Sequence, residues 1–221
     1  MNKLWCAAYC IAVIAVSQAA RAEAPDPDPA RFSESIETFV TWDSKNAFPR
    51  SGILFVGSSS VRFWSTAQAF PGRPIINRGF GGSELSDVIH FYEQLIQPYS
   101  PGKIFLYAGD NDIDHGKSAR QVFDDYRELV ALVQADFPGS ELIFISIKPS
   151  KARWDKWPEM REANRMVQEY AASHNKLGYA DLATPLLGDD GKPKDVFVED
   201  GLHLNGQGYR LWQEALNPFL E

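Results

Sequence analysis

Residues 53–60 read Ile53-Leu54-Phe55-Val56-Gly57-Ser58-Ser59-Ser60. Four unbroken apolar residues that run into a glycine and three hydroxyls describe a short strand ending in a tight polar turn. A strand with one wet face would alternate apolar and polar residues. This one does not, so it is covered on both faces, as in a parallel sheet flanked by helices. The pattern recurs along the chain. Ile75 and Ile76 mark a second strand over 74–77, and Ile104, Phe105 and Leu106 a third over 103–107. Leu142, Ile143, Phe144 and Ile145 mark a fourth over 141–147, and a weaker fifth lies over 178–182.

Helical periodicity fills the intervals. Phe32, Ile36, Phe39 and Val40 suggest a first amphipathic helix capped by Ser33. Leu85, Val88, Ile89, Tyr92, Leu95 and Ile96 share one face, as do Val122, Tyr126, Leu129, Val130 and Val133, the latter behind a Ser118–Gln121 capping box. Pro158 suits a first helical turn, and Met160, Ala163, Met166, Val167 and Tyr170 follow it. A last helix spans 208–216. Strand–helix alternation predicts an α/β fold with a central five-stranded parallel sheet and helices on both faces. In such sheets the functional site lies beyond the C-terminal ends of the strands.

The N-terminus has a different character. Lys3, an apolar run over 4–16, and Ala20 and Ala22 before Glu23 have the layout of a secretory signal peptide over 1–22, cleaved after Ala22. An uncleaved anchor is the alternative, but the run falls short of the roughly 20 residues a spanning helix needs. Cleavage places the protein in the periplasm or outside the cell, with no stable membrane span. It also removes Cys6 and Cys10, leaving no thiol for a nucleophile, disulfide or metal site. Residues 23–30, EAPDPDPA, read as an extended, solvated linker. A single domain over 31–221 remains. The whole chain has 22 basic and 29 acidic side chains, a formal charge of −7, which argues against a nucleic-acid partner. Nothing in the sequence sets the oligomeric state.

Four polar segments follow predicted strands: Gly57-Ser58-Ser59-Ser60, Asn77-Arg78-Gly79-Phe80-Gly81-Gly82-Ser83, Gly109-Asp110-Asn111-Asp112 and, near the end, Asp200-Gly201-Leu202-His203. A serine hydroxyl is a poor nucleophile until a base takes its proton. Of the four histidines, His90 and His174 fall within helices, and His115 follows the third-strand loop, where it could line a cleft. His203 alone has a carboxylate three residues earlier, and a turn there would set Asp200 beside the imidazole. Acyl transfer also needs donors aimed at a developing oxyanion. The Asn111 amide and the backbone N–H groups of Gly82 and Ser59 are the candidates. Each fragment alone has a bland reading: a flexible string, a turn, an ion pair capping the last helix. Asp110, Asp112 and Asp114 alternate as in a calcium loop, but the glycine and final glutamate of that loop are missing.

Together, in this order, the blocks resemble the SGNH-hydrolase superfamily, also called GDSL esterases or lipases. The first block is Gly57-Ser58-Ser59, the second contains Gly82, the third is Gly109-Asp110-Asn111-Asp112, and the last is Asp200-Gly201-Leu202-His203. The similarity runs from about Ile53 to Leu216, and the layout is similar to the single-domain branch that includes platelet-activating-factor acetylhydrolase subunits. Ser58 stands where the family has Asp and Ser83 where Asp is common; the GSSS form also leaves open which serine acts. Gly79 and Gly81 are rivals to Gly82. The resemblance implies a three-layer α/β/α, flavodoxin-like sandwich and a serine esterase without metal or other cofactor. It implies Ser59 as nucleophile, His203 as base, Asp200 as its orienting acid, and Ser59, Gly82 and Asn111 as the oxyanion hole.

The substrate is less legible. The loop after the fourth strand carries Lys148, Trp154 and Trp157. The two indoles could wall an acyl or sugar pocket, or pack the loop onto the helix at Pro158. Lys148 and Arg78 could attract an anionic head group, or be solvated. The expected activity is hydrolysis of small acyl esters, acetyl or short-chain, of carbohydrate or lysophospholipid type. An O-acetyltransferase would use the same triad, and a non-catalytic carbohydrate- or lipid-binding module would use the same fold without needing it.

Overall fold

The computed structural model describes residues 23–220. The expected signal peptide over 1–22 lies outside the described residues. Five strands form one parallel sheet: β1 (Ile53–Gly57), β2 (Ile75–Gly79), β3 (Lys103–Tyr107), β4 (Glu141–Ile145) and β5 (Leu177–Ala180), in the order β2-β1-β3-β4-β5. Nine α-helices accompany them: α1 (Ser33–Asp43), α2 (Ser59–Arg62), α3 (Thr66–Ala69), α4 (Leu85–His90), α5 (Tyr92–Leu95), α6 (Asp110–Asp114), α7 (Ala119–Asp136), α8 (Trp157–Ala172) and α9 (Gly206–Leu216) among the described residues. None of these helices is long and apolar enough to cross a membrane.

The strand residues divide between two cores because side chains alternate across a sheet. Leu54, Val56, Ile104, Leu106, Leu142 and Phe144 meet Val88, Tyr126, Leu129, Met160 and Val167 from α4, α7 and α8. Ile53, Phe55, Phe105, Tyr107, Ile143 and Ile145 lie under Trp212 and Leu216 of α9. The Trp212 indole N–H, fully buried, donates to Leu182 O at 3.0 Å, so its burial leaves no donor unsatisfied. Each fully buried side chain of this size contributes roughly 1.5–3 kcal/mol. The result is the three-layer α/β/α fold with a flavodoxin-like strand order.

Several boundaries differ from expectation. Pro74 has no N–H for the ladder, and β2 begins at Ile75; the Pro74 carbonyl accepts from Ile53 N at 2.9 Å. β4 stops at Ile145, because the Ser146 hydroxyl turns to accept from Leu182 N and Ala183 N, both at 2.9 Å. The apolar face over 85–96 is shared by two helices that break at Phe91. Phe32, not Ser33, precedes α1, at the end of a 3-10 turn over Pro29–Phe32.

The segment 23–30 is not a free linker. Gln121 Nε2 donates to Ala24 O at 3.0 Å, and Asp26 pairs with Lys117 at 2.6 Å. Beyond it, Arg31 pairs with buried Asp87 at 2.5 Å, and Phe32 meets Phe80 edge-on with centroids 5.1 Å apart. The prolines keep the segment extended, but its acids find cations on the domain.

Candidate active site

Strand β1 delivers the GSSS turn to the sheet's C-terminal edge. Gly57 adopts φ 130°, and a Cβ there would lie 1.9 Å from Tyr107 O, so only glycine lets β1 turn this close to β3. Ser58 N then donates to Tyr107 O at 2.9 Å, and Ser59 opens α2. As the first residue of a helix, Ser59 has an N–H without an intrahelical acceptor. Ser58 and Ser60 are buried, while Ser59 is half-buried and faces the cleft.

The partner arrives from the other end of the chain. His203 Nε2 stands 2.9 Å from Ser59 Oγ, and His203 Nδ1 stands 2.6 Å from Asp200 Oδ2. Of the three serines, Ser59 is the one hydrogen-bonded to the imidazole. The loop holding the pair is a closed unit: Val198 N donates to His203 O at 2.9 Å, and Asn205 N to Val196 O at 3.0 Å. Asn205 caps α9 through Gln207 N and Gly208 N. Within the loop, Asp200 Oδ1 accepts from Leu202 N at 2.8 Å and His203 N at 2.9 Å. Desolvation pushes the Asp200 carboxyl up, but the His203 ring and those two backbone donors together outweigh it and hold it down at about 2. Phe63 meets the imidazole edge-on at 5.0 Å and is itself exposed, as is Val198.

Asn111 and Gly82 sit on the neighbouring loops. Gly82 is exposed at φ 85°. Gly79, a rival in sequence, has its N–H engaged by Asn77 Oδ1 at 2.9 Å. Asn111 is buried, its Nδ2 donating to Ser83 O at 2.9 Å while its Oδ1 accepts from Arg153 Nη1 at 3.1 Å. Arg153 thereby fixes which way the amide points, because a flip would set an NH2 group against the guanidinium. One Asn111 N–H remains for another acceptor.

The carboxylates of the GDND block brace this edge. Asp110 accepts from Lys148 at 2.7 Å and Arg153 at 2.5 Å; burial raises its carboxyl, but the two cations outweigh that and hold it below the usual carboxylate range. Asp112 accepts from Gly109 N at 2.9 Å and Leu85 N at 3.0 Å, tying the β3 loop to the β2 loop. Asp114 pairs with Arg153 at 2.9 Å. The three acids thus diverge, and no metal-binding cluster occurs among the described residues.

Five residues offered for the cleft have other partners. Lys148 is buried against Asp110 and faces no head group. Arg78 is bound to Asp43 and Tyr99 and lies over the Phe39 ring at 5.1 Å. Trp157 is buried in the core as the first residue of α8, and half-buried Trp154 stacks on it with centroids 6.2 Å apart, so the two indoles pack the loop onto the helix. His115 lines no cleft beside Ser59; it pairs with buried Glu84 at 2.6 Å. Arg153, Phe63 and the cross-braces of Asp112 and Glu84 went unnoticed in the sequence, since nothing in their local pattern marks their distant partners.

Residues 56–211 match the GDSL-like Lipase/Acylhydrolase family. No curated protein matches the chain. Among solved structures, one from Streptococcus pneumonia named for platelet activating factor superposes with a TM-score of 0.78 at 23% identity, covering 87% of this chain and 94% of that one. A GDSL-like lipase from Bacteroides thetaiotaomicron gives 0.74 at 18% identity over 84% and 96%. A catalytic mutant of an acetylxylan esterase from Geobacillus stearothermophilus gives 0.62 at 15% identity over 79% and 96%. At these identities the structures share the fold, while the family match spans both ends of the Ser59–His203 pairing. The chain therefore belongs to the GDSL-like lipase/acylhydrolase family, the serine ester hydrolases also called SGNH hydrolases.

Proposed function

We propose that the protein is an exported serine esterase that hydrolyses small acyl esters, acetyl or short-chain, through Ser59, His203 and Asp200. The observation that carries this reading is the unbroken chain of contacts from Ser59 Oγ to His203 Nε2 at 2.9 Å and from His203 Nδ1 to Asp200 at 2.6 Å. Ser59 Oγ attacks the ester carbonyl while His203 Nε2 takes its proton, and Asp200 steadies the imidazolium that forms. The carbonyl oxygen becomes an oxyanion, held by the N–H groups of Ser59 and Gly82 and the remaining N–H of Asn111. Its collapse expels the alcohol, to which His203 returns the proton. Water, activated by the same imidazole, then cleaves the acyl-enzyme and regenerates Ser59.

Hydrolysis is favoured over acyl transfer by the openness of the site. Asp200 is 46% exposed, Gly82 is exposed, and the His203 ring keeps 24% of its surface open beside the edge of Phe63. Water therefore reaches the acyl-enzyme freely. The cleft beside His203, about 690 Å³, is lined by Phe63, Val198, Leu204 and Tyr209 and suits an alcohol with an apolar or sugar face. The likeness to an acetylxylan esterase supports acetylated carbohydrate as one such substrate, and the likeness to the protein named for platelet activating factor supports a lysophospholipid-type ester. Export rests on the signal-like pattern over 1–22.

The test uses residues 23–221 and the Ser59→Ala variant against p-nitrophenyl acetate, butyrate and octanoate, with intact mass after a fluorophosphonate probe. Turnover and one adduct in the parent, both lost in a folded variant, are expected. A parent with neither would make the protein a binding module instead.

A further inference from the structure

Most cations around the site are matched by carboxylates; Arg62 beside Ser59 and Arg210 on α9 are not, among the described residues. Lys148 and Arg153 are held by Asp110, Arg78 by Asp43, and Lys151 by Asp195. Arg62, the last residue of the helix that Ser59 begins, is exposed and has no carboxylate or hydrogen-bond partner among the described residues; it lies 5.8 Å from the Phe63 ring centre. Its guanidinium and the Ser59 side chain both lie close to Gly81. The point that a Cβ would occupy at Gly81 lies 3.2 Å from Arg62 Nη1 and 3.8 Å from Ser59 Cβ. Because residue 81 is glycine, no side chain at that position crowds either group.

Beyond Gly81 the same arginine lines a cleft of about 670 Å³ with Ser35, Thr38, Trp64, Gln68 and Asn77, and no acidic side chain lines it. The cleft combines hydroxyl and amide groups with the Phe39, Trp64 and Phe80 rings and has a single cation. A guanidinium presents paired N–H donors that match a carboxylate or phosphate, and such charge-assisted contacts are about twice as strong as neutral ones. A free arginine at the mouth of the site, in a chain of net charge −7, is therefore the group that would attract an anion there.

We infer that Arg62 selects esters carrying a carboxylate or phosphate group near the reacting carbonyl. The inference rests on the esterase reading and narrows its substrate class to anionic esters. The anion takes no part in bond making; it docks on Arg62 while Ser59, His203 and water perform the two acyl-transfer steps.

The experiment compares the parent with Arg62→Gln and Arg62→Lys on two matched pairs. One pair, 4-nitrophenyl acetate and mono(4-nitrophenyl) succinate, varies charge in the acyl half. The other, methyl 4-acetoxybenzoate and 4-acetoxybenzoate, varies it in the alcohol half. The readout is the ratio of kcat/KM for the anionic ester to that for the neutral one. The ratio is expected to fall about tenfold or more, or about 1.4 kcal/mol, in Arg62→Gln for at least one pair. Arg62→Lys should keep part of it, and salt should weaken it in the parent. The pair that responds identifies the half bearing the anion. An unchanged ratio in both pairs overturns the inference. So does an equal loss on charged and neutral esters, which would make Arg62 a general support of the reaction. Absence of turnover on all four, with no phosphonate adduct on Ser59, overturns the esterase reading itself and this inference with it.

Discussion

His203 stands 2.9 Å from Ser59 across 144 residues of chain. The first strand of the sheet supplies one atom of the pair, and the loop before the last helix supplies the other. The loop that carries the imidazole runs into α9, which packs on the sheet through Trp212 and Leu216. By contrast, Asp200 reaches His203 within one turn, stabilised by its own backbone bonds to Leu202 and His203. The acid–base half of the site is a local structure; the nucleophile joins it through the fold.

Replacing Asp200 with Asn should lower kcat and leave KM nearly unchanged. The amide cannot hold the imidazolium as the carboxylate does. In an enclosed triad this change costs about 10⁴. Asp200 is 46% exposed, so water substitutes in part, and the expected loss here is roughly 10²–10³. Steady-state kinetics on p-nitrophenyl acetate measure it, and a loss below about threefold would remove Asp200 from the mechanism.

Asn111→Ala should cost roughly 10²–10³ in kcat if its free N–H serves the oxyanion. Arg153 touches Asn111 Oδ1 at 3.1 Å, so its effect on the oxyanion should pass through that amide. Arg153→Gln alone should cost about tenfold, and much less once Asn111 is already alanine. A double-mutant cycle reads the coupling. Additive losses would mean that Arg153 acts only through Asp110 and the loop.

Gly57→Ala should abolish folding or lower stability by more than about 4 kcal/mol, an unusual loss for one methyl group. The added Cβ would sit 1.9 Å from Tyr107 O, a backbone atom at the C-terminal end of the β1–β3 pairing. Soluble yield and the thermal midpoint are the readouts. Gly116→Ala, where no heavy atom lies within 4 Å of the new Cβ, serves as the control for backbone strain at positive φ alone.

The strands were legible because parallel strands buried on both faces leave an unmistakable apolar run, and Ile53–Gly57 and Lys103–Tyr107 fall where those runs predict. The site blocks were legible because glycine and hydroxyl residues at strand ends have little other reason to occur in series. The charged side chains were not. Lys148 finds Asp110 38 residues away, and Arg78 finds Asp43 35 residues away. A cation reads as solvated until its distant partner is known, since burial of a charge is tolerated only when it is paired. Residues 23–30 misled for the same reason: Asp26 looks like a solubilising charge until Lys117 is beside it.

The acid cluster beneath the Gly82 loop predicts a pH dependence of stability. Asp112 is fully buried, and that burial, aided by the charge of Glu84, outweighs Lys117 and pushes its carboxyl up to about 7. Asp87 and Asp125 are raised as well, chiefly by burial. A carboxyl raised in the folded state holds a proton there that the unfolded chain has already lost. Between about pH 4, the unfolded value, and pH 7 the folded state therefore binds more protons, and stability falls as pH rises through that window. The contribution of Asp112 is complete below pH 4 and gone above pH 7. Between pH 5 and pH 8 it amounts to about 2–3 kcal/mol at 1.36 kcal/mol per unit. Asp26 and Asp110, both lowered, act oppositely and lose their contribution only below pH 4. Urea unfolding should thus show a higher midpoint at pH 5 than at pH 8. Asp112→Asn should lose overall stability, because one amide cannot accept from both Leu85 N and Gly109 N, yet it should flatten the slope between the two pH values. An equal slope in the variant would assign the effect to Asp87 and Asp125, and a parent more stable at pH 8 would reverse the sign altogether.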